Sequence, residues 1–226
     1  MARRADRDSR VIEALVAEHG RTFAEEAGIK LRNTPQPLYR TLVMAVLLSA
    51  RIRGSVAVAS TSALYEAGMR DPRRMADASW QQRVDALGEG GYRRYDERTA
   101  TMLGEGAELL LERWGGDLRR MRDEADGDLG ELRSLLREIP GLGPAGVDIF
   151  LREVQQVWHE AAPWLDAKAL QGAERLGLPT EPDHLVKLAG HTEPAVLAAA
   201  LVRAALDKKI VEDVLRRSEE RAEDED

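Results

Sequence analysis

The run Ile139-Pro-Gly-Leu-Gly-Pro-Ala-Gly-Val-Asp-Ile-Phe150 constrains this chain more than any other stretch of it. Its first two glycines stand two apart, a tight turn between two segments of helical period. Before the turn, Leu129, Leu132, Leu135, Leu136 and Ile139 recur at three- and four-residue spacing, and after it Val147, Phe150, Leu151, Val154 and Trp158 do the same. Pro144 suits the first turn of the second helix, where a missing N–H costs nothing. A glycine turn that opens a helix presents unpaired backbone N–H groups at the positive end of the helix dipole. That is a ready site for a phosphate oxygen.

Gly-Leu-Gly-Pro-Ala-Gly also satisfies the dinucleotide pattern GxGxxG, with Asp166 twenty residues beyond Gly146. That pattern requires a strand before the first glycine. Here the approach is helix-periodic and carries Arg133, Arg137 and Glu138, which do not suit a buried parallel strand. A Rossmann unit is excluded on context, and a helix-hairpin-helix remains.

The rest of the chain reads as all-α. Arg7–His19 places Val11, Ile12, Leu15 and Val16 on one face, and Leu38–Ala50 is apolar nearly all round, as a central buried helix is. Helical segments are expected at 55–68, 73–78, 80–87 and 99–114, the last closed by Gly115-Gly116. A short helix follows Asp166, and a C-terminal pair covers 193–206 and 208–217. Val56-Ala-Val58 is too short to carry a sheet.

Four segments, in order, resemble the endonuclease III-like DNA glycosylase superfamily (helix-hairpin-helix, HhH-GPD). The hairpin is one of them. Pro37-Leu-Tyr-Arg-Thr-Leu-Val-Met-Ala-Val-Leu-Leu-Ser-Ala-Arg51 is similar to its early buried helix, which ends in Leu-Ser-Ala-Gln. Gly90-Gly-Tyr-Arg-Arg-Tyr-Asp-Glu-Arg-Thr-Ala100 is similar to its Gly-Tyr-basic-Ala segment. Trp164-Leu-Asp-Ala-Lys-Ala-Leu-Gln-Gly-Ala-Glu-Arg-Leu-Gly-Leu178 is similar to its Val-Asp-Thr-His segment. The resemblance spans residues 11 to 178. It implies a two-lobed helical fold: residues 38–158 form a barrel-like lobe with the hairpin, residues 1–37 and 159–217 a second, discontinuous lobe, and the family's active site lies in the cleft between them.

The resemblance implies that Asp166 is the catalytic carboxylate, stabilising the oxocarbenium-like sugar as a base is cut from it. An Asp before Ala-Lys-Ala-Leu is also a good helix N-cap, and the two roles are compatible. Leu142, Gly143 and Ala145 are expected to offer N–H groups to a DNA phosphate, with Gly141 and Gly143 permitting the turn and a close approach. Asp148 is an objection if its carboxylate faces that phosphate. Bifunctional relatives carry Lys where this chain has Ala145, so the Schiff-base lyase route is missing from its usual place. Arg51 replaces the Gln of relatives and can fill space, stack, or bond a guanine edge. Tyr92, Tyr95 and Trp164 are candidates for stacking on a base, whereas the spacing of Trp158 places it in the core. Lys168 stands where the family has His, a position from which it could contact the duplex, although a lone helix-borne Lys is usually a solvent-facing charge.

Composition sets further bounds. No cysteine occurs among 226 residues, which rules out disulfides and the cysteine-ligated iron–sulfur cluster of many relatives. The histidines at 19, 159, 184 and 191 show no ligand spacing, so neither metal nor cofactor is expected. No run of eighteen apolar residues and no signal-peptide pattern occurs, and the expectation is a cytoplasmic, nucleoid-associated monomer with no membrane contact. The net charge of −7 argues against indiscriminate nucleic-acid binding. Much of it lies in 218–226, where six acids meet one Arg and disorder is expected. Between Arg51 and Arg122, thirteen arginines face eleven acids, and Arg51, Arg53, Arg93, Arg94 and Arg98 are candidates for a local basic patch.

The expected function is therefore a base-excision repair protein acting on double-stranded DNA, a monofunctional glycosylase. Two alternatives stand beside it: a catalytically inactive DNA-binding relative, and an all-helical interaction protein.

Overall fold

The computed structural model describes residues 2–225, and every regular element among them is helical. In chain order they are α1 (Ala2–His19), α2 (Phe23–Glu26), α3 (Pro35–Leu48), α4 (Gly54–Glu66), α5 (Pro72–Asp77), α6 (Trp80–Glu89) and α7 (Asp96–Trp114). Then follow α8 (Leu118–Glu124), α9 (Leu129–Arg137), α10 (Pro144–Val154), a single 3₁₀ turn at His159–Ala161, α11 (Ala167–Arg175), α12 (Pro182–Ala189), α13 (Pro194–Leu206) and α14 (Lys208–Glu225). The all-α class and the helix-hairpin-helix, formed by α9 and α10, are both present. No single helix among the described residues is long and apolar enough to cross a membrane.

The helices gather into two compact units. Phe23–Glu160 forms one. Its centre is α3, where Leu38, Leu42, Met44, Ala45 and Leu47 are at most 2% exposed because apolar residues run round the whole helix. Helices α4 and α10 pack against it, and α7 packs against α5 and α6. Trp158 closes this core, its ring edge-on to Phe150 at 5.5 Å and its indole N–H donating to the Asn33 side chain at 3.0 Å.

The boundary falls at Thr22/Phe23, not between 37 and 38. Residues 23–37 belong to the hairpin unit because their backbone is tied there. The Ala24 N–H donates to the Glu153 carboxylate at 2.8 Å, and the Ala27 carbonyl accepts from Arg40 and Ser62. The resemblance that implied a start at 38 carries no information on such polar ties.

The other unit joins the chain before Phe23 to the chain from Ala161 onward. Its buried centre is the alanine-rich α13. Helix α11 crosses α13 so closely that a Cβ on Gly172 would lie 1.9 Å from the Leu201 carbonyl oxygen, so only glycine fits there. Val11, Ile12 and Leu15 of α1 and Val214 of α14 fill the remaining core. The acidic tail departs from the expected disorder: α14 continues through Glu225. Its charges are spaced to support a helix, with Arg216 paired to Asp213 and Glu220, and Arg217 to Asp213 and to Glu18 of α1.

Candidate nucleic-acid interface

The hairpin turn is seated by two neighbours. Ile139 and Pro140 rest on α7 at Gly106, where a Cβ would come within 3.2 Å of the Ile139 side chain. Gly141 has φ +86, and a Cβ there would meet Val46 at 3.1 Å and Met102 at 3.3 Å. This is the position where the turn demands glycine. Gly143 differs. Its φ of −72 and ψ of −178 suit any residue, and nothing lies within 4 Å of its Cβ direction, so the open space beside it is available to a ligand.

Gly143 is the N-cap of α10 and Pro144 its first residue, with no side chain capping the end. Leu142 is corrected as a donor: it is 2% exposed, and its N–H donates to the Ile139 carbonyl at 3.0 Å to close the turn. The exposed Gly143 and Ala145 keep N–H groups with no acceptor among the described residues. Asp148, one turn further along, is paired with Arg133 of α9 at 3.6 Å.

The turn forms one wall of a groove of about 680 Å3 whose lining comes from three separate stretches. The end of α3 supplies Ser49, Ala50 and Arg51; the approach to α7 and its first turns supply Tyr92, Tyr95, Arg98 and Met102; the hairpin supplies Arg137 through Gly143. Three guanidinium groups and one carboxylate line it. The carboxylate, Glu138, is bonded to Arg113. Among the described residues, no carboxylate pairs with Arg51, Arg98 or Arg137, nor with the nearby Arg53, Arg93 and Arg94. Guanidinium groups without a carboxylate partner and N–H groups without an acceptor thus share one groove.

The aromatic lining divides in two. Tyr92 is 1% exposed, and its hydroxyl shares a 3.1 Å hydrogen bond with Thr99. Burial pushes its phenol above the ordinary range. It is part of the groove's foundation and presents no open face for a base. Tyr95 is 44% exposed, with the Arg94 guanidinium 4.9 Å from its ring centre.

Asp166, Trp164 and Lys168 belong to the other unit. Asp166 is the N-cap of α11, its carboxylate accepting from the Ala169 N–H at 2.8 Å. The capping role expected for it is present, and it holds the carboxylate in one orientation. Trp164 is half-buried, and Lys168 is exposed with its ammonium on the Gln171 side chain at 2.8 Å. Arg137 is the groove residue that sequence reading missed. Its signal was its place three residues before Pro140, at the last turn of α9.

No protein-family model and no curated protein matches the sequence. Among solved structures, the chain is similar to that of endonuclease III trapped as a covalent intermediate with DNA, in an estranged-adenine complex. Identity is 17% over 71% of this chain and 70% of that one, with a TM-score of 0.45.

Proposed function

We propose that this chain binds DNA through the hairpin groove and acts in base excision as a monofunctional glycosylase of the endonuclease III-like, HhH-GPD kind. One observation carries the reading: an uncapped helix start and three unpaired arginines share a groove built from three of the four segments that resemble that superfamily. A phosphate at the hairpin receives N–H groups from Gly143 and Ala145, while Arg51, Arg98 and Arg137 neutralise neighbouring charge. These contacts position a duplex and do not read its sequence.

In the chemical step, the bond from sugar C1′ to the base nitrogen breaks as water adds its oxygen to C1′ and the base leaves with a proton. The carboxylate of Asp166 stabilises the positive charge that develops on the sugar and orients the water. Alanine at 145 offers no amine, so the abasic product stays unbroken on the strand. A second reading, a DNA-binding protein without catalysis, is favoured by the same Ala145 and by Arg51 in place of glutamine.

The test is binding of a labelled duplex at rising salt, followed by excision from lesion-bearing duplexes with Asp166→Asn beside the wild type. Steep salt dependence with excision lost in the variant supports the glycosylase. Salt-dependent binding without excision supports the second reading, and no binding overturns both.

A further inference from the structure

Two arginines converge on one tyrosine ring at the end of α3 that is remote from the groove. Arg40 lies in the second turn of α3, its guanidinium 3.7 Å from the ring centre of Tyr65 on α4. Arg70, just past the end of α4, places a second guanidinium 4.9 Å from the same ring. From Arg40 to Leu48 the helix rises about 12 Å, and only beyond that end does the chain enter the groove, so the cluster is separate from it. One guanidinium over a ring is an ordinary cation–π contact, and Arg40 has a structural task as well, its Nη2 donating to the Ala27 carbonyl at 3.2 Å. The second cation is what stability does not explain. Burial above all, and the Arg70 cation beside it, pull Arg40 below the usual arginine range, and its buried Nε has no hydrogen-bond acceptor. Among the described residues no carboxylate pairs with either arginine; Asp71, the acid next to Arg70, is paired with Arg74 at 3.5 Å.

Like charges held together without a counter-ion repel, and a bound anion offsets that repulsion. Paired cations match a doubly charged anion. Inorganic phosphate or a phosphate monoester comes close to that charge at neutral pH and offers several oxygens to the planar guanidinium forks, whereas each DNA phosphodiester carries a single charge. We infer that Arg40 and Arg70, set against the Tyr65 ring, form a second anion site that takes a free phosphoryl dianion, either inorganic phosphate or the monoester of a small molecule. Its oxygens accept from Nη groups that the two arginines do not use within the fold. Arg40 commits one nitrogen to Ala27, and Arg70 commits its Nε to the Tyr65 carbonyl at 3.3 Å. This site goes beyond the glycosylase reading and does not depend on it.

The experiment follows the Nε–Hε NMR signals of Arg40 and Arg70 as inorganic phosphate, methyl phosphate or sodium chloride is added at matched ionic strength. Wild type, Arg70→Gln and, as a control outside the cluster, Arg119→Gln are compared. Arg70 is exposed, so its replacement leaves the fold intact and Arg40 in place to report. The expected result is a saturable shift of both signals with either phosphate and none with chloride. Binding weakens about tenfold in Arg70→Gln, the scale of losing hydrogen bonds to a charged group, and is unchanged in Arg119→Gln. Tighter binding of methyl phosphate identifies a monoester as the ligand, and tighter binding of inorganic phosphate identifies the free ion. No shift beyond the chloride control, or binding undiminished in Arg70→Gln, overturns the site. A second arm measures the salt slope of duplex binding, which Arg70→Gln is expected to leave unchanged. A slope lowered by about one assigns these arginines to the DNA backbone and overturns the proposal while DNA binding stands. Absence of duplex binding overturns the DNA-binding reading alone, and the phosphate titration still decides this site.

Discussion

The Arg133 guanidinium lies 3.6 Å from the Asp148 carboxylate, an ion pair between the two helices of the hairpin. The acid that seemed to oppose a phosphate at this end of α10 is thereby countered by a cation from α9. Both side chains are partly exposed, so the pair contributes little to stability, and its effect on an arriving anion is electrostatic. Arg133→Gln is expected to weaken duplex binding at low salt by about threefold, and Asp148→Asn to strengthen it similarly, the scale of a pair worth under ~1 kcal/mol. Titrations at low and high salt check this, since both effects shrink as salt rises.

The two glycines of the turn separate folding from binding. Gly141→Ala forces a Cβ into a left-handed backbone and against Val46, and is expected to cost about 1–3 kcal/mol in denaturant unfolding. Gly143→Ala meets no neighbour and has an ordinary φ, so its stability should change by less than about 1 kcal/mol. Its methyl group narrows the approach to the Gly143 and Ala145 N–H groups, and DNA affinity should fall while the melting temperature does not.

Neutralising the groove arginines tests counterion release. Each of Arg51→Gln, Arg98→Gln and Arg137→Gln is expected to lower the slope of log K against log salt by about one. The same change at Arg119, which is bonded to Asp117 away from the groove, should leave the slope unchanged.

Much of this fold was legible because apolar period is strong in α9 and α10, α3 and α13 are apolar nearly all round, and the turn residues at 140–144 are chemically distinctive. The short α2, α8 and α12 are absent from the sequence expectation, whereas α5, no longer than α8, is in it because Asp71-Pro72 marks its start. In the site, Arg51 and the hairpin were readable. Leu142 was misjudged because its N–H is used by a turn hydrogen bond that a residue string does not display. Tyr92 and Tyr95 look alike in sequence, three residues apart, yet one is buried and the other exposed.

Glu153 offers a test of how the hairpin helix is anchored. It is 1% exposed, and its carboxylate accepts the Ala24 N–H at 2.8 Å, linking α10 to α2. Glu153→Ala should lower unfolding free energy by about 2 kcal/mol through loss of a charge-assisted hydrogen bond, and Glu153→Gln, which keeps an acceptor, by less. Chemical denaturation of both variants checks the order.

The account rests most heavily on Asp166, which caps α11 and is assigned the chemistry. Asp166→Ala should cost about 1 kcal/mol of stability, whereas Asp166→Asn keeps a capping oxygen and changes stability less. Asn therefore isolates the carboxylate's charge. The deciding measurement incubates wild type and Asp166→Asn with duplexes carrying uracil, thymine glycol, 8-oxoguanine, alkylated bases or mismatches, each analysed with and without hot alkali. The account predicts strand breaks on at least one duplex that require alkali and vanish in Asp166→Asn. Breaks that form without alkali, breaks that persist in the variant, or no breaks on any duplex would contradict it.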